Sequence, residues 1–145
     1  MKSQLIHEAQ GQRTYVVVLD VGDEAMACLQ AFAVAEDLSA AQIIAIGAFE
    51  NAVVGFWDWQ GKDYERSRIQ EQTEVLSLLG DVCVDQAGQP KVHLHAVLGR
   101  RNGATLGGHL LEGRVRPTLE VVITESPAHL RRVHHPELGL AVIKL

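Results

Sequence analysis

Three histidines are the residues of this sequence best placed to do chemistry. His93 and His95 lie two apart in KVHLHAVL (Lys91 to Leu98), and His109 follows the pair Gly107-Gly108. Alternate residues of a strand share one face, so the two imidazoles of the HxH pair point the same way. The glycines before His109 allow close backbone approach or an unusual dihedral. If residues 91–98 and 104–111 form a hairpin around GRRNG (Gly99 to Gly103), pairing about residue 101 sets His93 and His95 opposite positions near 109 and 107. Cross-strand Cβ separations of about 4.5–5.5 Å then bring the set within reach of one ion. Neutral imidazoles bind zinc at about 2.0–2.1 Å, and three of them leave a fourth position for water or a ligand. Iron, nickel and copper accept the same donors. The plainer alternative is a set of hydrogen-bonded histidines on a half-buried sheet or at a subunit interface.

Other chemical candidates are weaker. Glu120, the lone acid of PTLEVVI, suits the orientation of a ligating histidine or a general base beside metal-bound water, and equally suits an outward-facing strand position. Glu74 in TEVLSLL carries the same ambiguity. His134 and His135 are adjacent, so on a strand they face opposite sides and are not expected to share an ion. His7 and His129 read as surface residues. Cys28 and Cys83 form no CxxC pair, and each sits among apolar residues as a small buried hydrophobe. There is no GxSxG elbow, P-loop or strand-following GxGxxG. Trp57 and Trp59 share a strand face with Val53 and Gly55. With no basic neighbours they are expected in a core or an interface, not stacked on nucleobases.

The elements that must position these residues follow from the period of the apolar pattern. Residues 1–12 are polar and expected to be loosely held, leaving one domain over 13–145. Residues 14–20 (TYVVVLD) read as a buried strand, and residues 24–38 as a helix with Met26, Leu29 and Ala33 on one face. Asp20 and Asp23 are the candidate caps for its first amides. Strands are then expected over 43–49 and 53–59 around a polar break at Glu50-Asn51, and over 63–70 and 73–79. Further strands are expected over 91–98, 104–111, 118–124 and 138–145. One strand, one helix and many short strands at hairpin spacing describe an α+β domain with a mainly antiparallel sheet. A single helix covers little of such a sheet, so its open face is expected to curl or to pack against another subunit.

The chain has 145 residues, 47% hydrophobic and 21% charged, which suits one globular domain. Its formal net charge of −5 is unlike the basic excess of a duplex-binding domain. Arg100-Arg101, Arg114 with Arg116, and Arg131-Arg132 are short clusters that suit a solvated surface. The first residues lack the apolar stretch of a signal peptide, and no run approaches the roughly 20 residues of a membrane span. A soluble cytoplasmic protein is the expectation.

Two stretches, GDVCVDQAGQPKVHLHAVLG (80–99) and GGHLLEGRVRPTLEVVI (107–123), together with IAIGAFENAVVG (44–55), resemble the plant and prokaryote conserved (PPC) domain family over about Tyr15 to Thr124. The resemblance implies a sheet of seven or eight strands, one main helix and a homotrimer. The HxH and GGHL motifs are features of the prokaryotic members, so the resemblance points the same way as the spacing, to His93, His95 and His109 as metal ligands, for which imidazole chemistry puts zinc first. In plants such domains are joined to AT-hooks. Here Gly113-Arg114-Val115-Arg116-Pro117 carries valine where that motif has glycine, and it sits between predicted strands. Three functions follow as expectations: a trimeric domain binding a transition metal or small ligand; a DNA-associated regulator acting through protein partners, with weak or absent DNA binding of its own; and a metal-dependent hydrolase or lyase with Glu120 as base.

Overall fold

The computed structural model describes residues 1–145. In chain order it forms β1 (Lys2–Ala9), β2 (Gln12–Leu19), α1 (Ala25–Ala35), β3 (Ala40–Asp58), β4 (Asp63–Ile69), β5 (Thr73–Val84), β6 (Pro90–Gly99), β7 (Thr105–Glu125), β8 (Arg131–His135) and β9 (Leu140–Lys144). Alternation fixes the two faces of the sheet. Tyr15, Val17 and Leu19 of β2 and Ala41, Ile43 and Ala45 of β3 point inward, while Gln42, Ile44 and Ile46 point outward. The inward set joins Ala25, Leu29, Phe32 and Ala33 of α1 in a core of 26 buried residues. Tyr15 meets Phe32 edge-on at 5.3 Å between centroids.

The helix is capped by Glu24, not by Asp20 or Asp23. Its carboxylate accepts from the amides of Met26 and Ala27, at 3.3 and 2.7 Å, and from that of Gly113 at 2.9 Å. The glutamate's extra methylene lets one side chain serve both the helix start and β7. Asp23 instead accepts from the Asp20 amide, closing the turn before it.

All nine strands join one sheet, and every pairing is antiparallel except the short contact of β5 with β8. Four expected strands merge into two. Residues 43–49 and 53–59 are one strand, β3, and residues 104–111 and 118–124 are one strand, β7. The polar breaks that separated them lie opposite one another, with Asn51 facing Arg114, Ala52 facing Gly113 and Val53 facing Glu112. Register shifts between Phe49 and Asn51 and between Val53 and Val54 absorb them as bulges, so both strands bend together and neither ends. The AT-hook look-alike therefore lies inside β7, with Val115 fully buried.

The N-terminal segment departs from the loose arm expected over 1–12. Lys2–Ala9 pairs with β2 through a turn in which Gln10 and Gly11 both have positive φ, the form that two-residue hairpins favour. Every residue of β1 is exposed, so no buried alternation marked it as a strand. At the other end, the apolar tail narrows to β9 and pairs with β8, a strand the polar RRVHH did not advertise. No helix is long and apolar enough to cross a membrane.

Candidate metal centre

Strands β6 and β7 form the expected hairpin, displaced in register. His95 faces His109 directly, and His93 pairs across the other edge with Asp81 of β5. The displacement is even, so the parity of the HxH pair survives. Ring centroids are 5.1 Å apart for His93 and His95, 4.9 Å for His93 and His109, and 5.3 Å for His95 and His109. One ligating nitrogen from each ring lies within 4.8 Å of the others.

Missing side chains make room for this arrangement. A Cβ on Gly107 would stand 2.3 Å from the carbonyl oxygen of Ala96, so β6 and β7 close here only around glycine. A Cβ on Gly55 would stand 2.7 Å from the Tyr64 ring. Without it, Tyr64 lies over β3 and stacks on His109, with centroids 4.5 Å apart and planes inclined by 17°.

Burial lowers the pKa of His109 to about 4, helped by the neighbouring His93, His95 and Arg132. Burial, then His93, also lowers that of His95. Both rings are therefore neutral at neutral pH, with lone pairs free to ligate. His109 Nδ1 is buried without a hydrogen-bond partner. Buried polar atoms are rarely left unpaired, and a cation accepting that lone pair would satisfy it. The donor set thus fits a metal of the zinc class.

Behind His93 stands a charged pair that the sequence reading missed. Arg132 Nη2 donates to Asp81 Oδ1 and Oδ2 at 3.0 and 2.8 Å and lies 2.9 Å from His93 Nδ1. Burial alone would raise the Asp81 carboxyl, but hydrogen bonds with His93, Arg132 and Cys83 hold it at about 2. Burial, then the neighbouring Asp81, pushes the Cys83 thiol to about 12, so it is inert as a nucleophile. The one available signal was Asp81 itself, an acid within an apolar strand. Arg132 arrives from the tail and left none.

Other candidates lie elsewhere. Glu120 faces Val18 and Ile46 and lines a separate apolar depression with Val16, Ile44, Leu76 and Leu79. Glu74 lines a polar recess beside Arg100 and Arg101. Neither borders the histidines. His7, His129 and His134 are exposed, and His135 Nδ1 lies 3.7 Å from Glu137. Trp59 is exposed beneath Lys62, but Trp57 joins the histidines as a wall of a cavity of about 610 Å³, with Tyr64, Arg132, Leu140 and Val142.

The family model of the Plants and Prokaryotes Conserved (PCC) domain matches residues 6–127. The chain belongs to the PCC domain family. The PCC fold is similar to that of a plant- and prokaryote-conserved protein of Pyrococcus horikoshii, at 30% identity and a TM-score of 0.85 over 92% of each chain. It is similar to a metal-containing protein of Archaeoglobus fulgidus, at 30% identity and TM-score 0.84 over 100% of each chain. A Bacteroides thetaiotaomicron protein named as a candidate DNA-binding protein matches at 26% identity and TM-score 0.86, over 95% of this chain and 94% of its own. Among curated proteins, the bifunctional protein GlmU of a Synechococcus species is 33% identical over 116 residues; the match takes in 79% of this PCC chain and spans only 17% of GlmU.

Proposed function

We propose that this PCC domain binds one transition metal ion, zinc first, through His93, His95 and His109, and that it works as a homotrimer presenting the ion to a small ligand. The observation that carries the reading is the convergence of three imidazoles, with ligating atoms within 4.8 Å and His109 Nδ1 buried and unpaired. The metal-containing relative from Archaeoglobus fulgidus supports it. Bound there, the ion supplies Lewis acidity or a fixed positive charge at the cavity floor. Asp81 and Arg132 fix the ring of His93, Tyr64 fixes that of His109, and Trp57 with Leu140 and Val142 limits access of water.

The test is elemental analysis of purified, untagged protein. About one equivalent of zinc or a related ion per chain is expected, as a three-histidine site takes one. His93→Ala, His95→Ala and His109→Ala should each lose most of it. Full metal content in all three variants, or none in the parent after incubation with excess zinc, overturns the reading.

The hydrolase or lyase alternative loses its named base, because Glu120 lines a different depression. A DNA-associated role rests on the name of the Bacteroides relative, and the net charge of −5 keeps weak or absent duplex binding as the expectation.

A further inference from the structure

Three buried side-chain nitrogens lack a hydrogen-bond partner, on Trp57, His109 and Arg132, and all three residues line the histidine cavity. An ion bound at His109 Nδ1 would account for that atom. The other two atoms, Trp57 Nε1 and Arg132 Nε, carry hydrogen and can only donate, so neither a tautomer nor a metal satisfies them. What completes them must bring acceptors. We propose that the cavity receives a small carboxylate with an apolar body, its oxygens held by Arg132 and Trp57 and its body lying against Leu140 and Val142. This names the ligand class of the metal site, and it rests on that reading for the open position of the ion.

Charge favours an anion. Arg132 is only 15% exposed, and Asp81 takes up its Nη2, which leaves its Nε to a further acceptor; with the proposed divalent ion beside this neutral pair, an anion offsets the positive charge of the site. The size fits as well, since a cavity of about 610 Å³ matches small-molecule sites. Both donors are covered by the C-terminal hairpin. Arg132 sits on β8, its Nη1 donates to the Ala141 carbonyl of β9, and the turn at Gly139 lies so close to Trp57 that an added Cβ would stand 3.2 Å from its ring. The hairpin pairs with the rest of the sheet only at Val84 and Arg131. A small outward shift therefore uncovers both donors while the histidines stay on the main sheet. The hairpin follows the stretch matched by the family model, residues 6–127, so the ligand is selected by a part of the chain outside that stretch.

The probe is 4-fluorobenzoate, followed by its fluorine resonance, with 4-fluorobenzamide as the uncharged isostere and zinc content measured on each sample. Saturable binding of the acid to zinc-loaded protein is expected, at least about tenfold tighter than the amide. Arg132→Gln should weaken it about tenfold or more. Trp57→Phe, which leaves the Asp81–Arg132 pair in place, should weaken it about three- to tenfold. Equal binding of acid and amide, unchanged affinity in both variants, or no binding to zinc-loaded protein overturns the proposal. Arg132-dependent binding by a chain that takes up no zinc sustains the carboxylate site and overturns the metal reading instead.

Discussion

At the scale of single residues, the site sits on a balance between burial and charge. His109 is half-buried between Tyr64 and the other two rings, with no acid beside it, and this drops its pKa to about 4. An unfolded chain restores histidine to about 6.5. Between those values the unfolded state binds the extra proton, so the stability of metal-stripped protein is full above about pH 6.5 and declines as pH falls toward 4. Asp81 adds a second loss at lower pH, between the ordinary carboxylate range and about 2. Denaturant midpoints of chelator-treated protein from pH 7.5 to 4.5 should fall steadily, and His109→Gln should flatten much of that slope. An unchanged slope in the variant would assign the titration to other groups. The sequence named all three histidines because parity along a strand survives an even change of register. It could not name Asp81 or Arg132, because the cross-strand and tail contacts that make them partners of His93 have no local pattern.

At the scale of elements, the helix and most strands were legible because their apolar period is local. The errors have two causes. Polar pairs inside long strands read as turns, yet Glu50-Asn51 and Glu112-Gly113 lie at or beside register shifts that only the alignment of β3 with β7 reveals. Strand β1 was missed because a solvent-exposed hairpin buries nothing. The glycines before His109 were read for close approach, and the geometry makes that quantitative. Gly107 is exposed as a residue, but its Cβ direction meets the backbone of Ala96, not a flexible side chain. Gly107→Val should therefore part β6 from β7 locally and cost about 1–3 kcal/mol, the range of overpacking. The same change should lower zinc affinity, because it shifts His109 relative to His95. Chemical denaturation with a parallel zinc titration reads both effects. A variant with the parent's stability would mean the strands accommodate a side chain there without moving.

At the scale of the whole molecule, the face turned away from α1 carries an apolar patch of the kind that subunit interfaces cover. Ile44, Ile46, Leu76, Leu79 and Val97 are between 43% and 62% exposed, and the first four surround a depression of about 490 Å³ on the outer side of the sheet. A lone 15.8 kDa chain is expected to expose about 7,300 Å² by the scaling of surface with mass, whereas this one exposes 8225 Å². Both observations support the proposed homotrimer, and the row of facing residues Ile44, Leu79, His95 and His109 carries the outer face into the metal centre. Light scattering should give three times the chain mass. Ile46→Asp, which places a charge on the patch and leaves the histidine strands untouched, should reduce it to one chain with an unchanged circular dichroism spectrum. A parent that runs as a monomer overturns the assembly. The dissociated variant also locates the site: all three ligating histidines come from one chain, so it should keep about one equivalent of zinc. If it folds and loses the ion, a neighbouring subunit completes the coordination, and assembly and metal binding become one equilibrium.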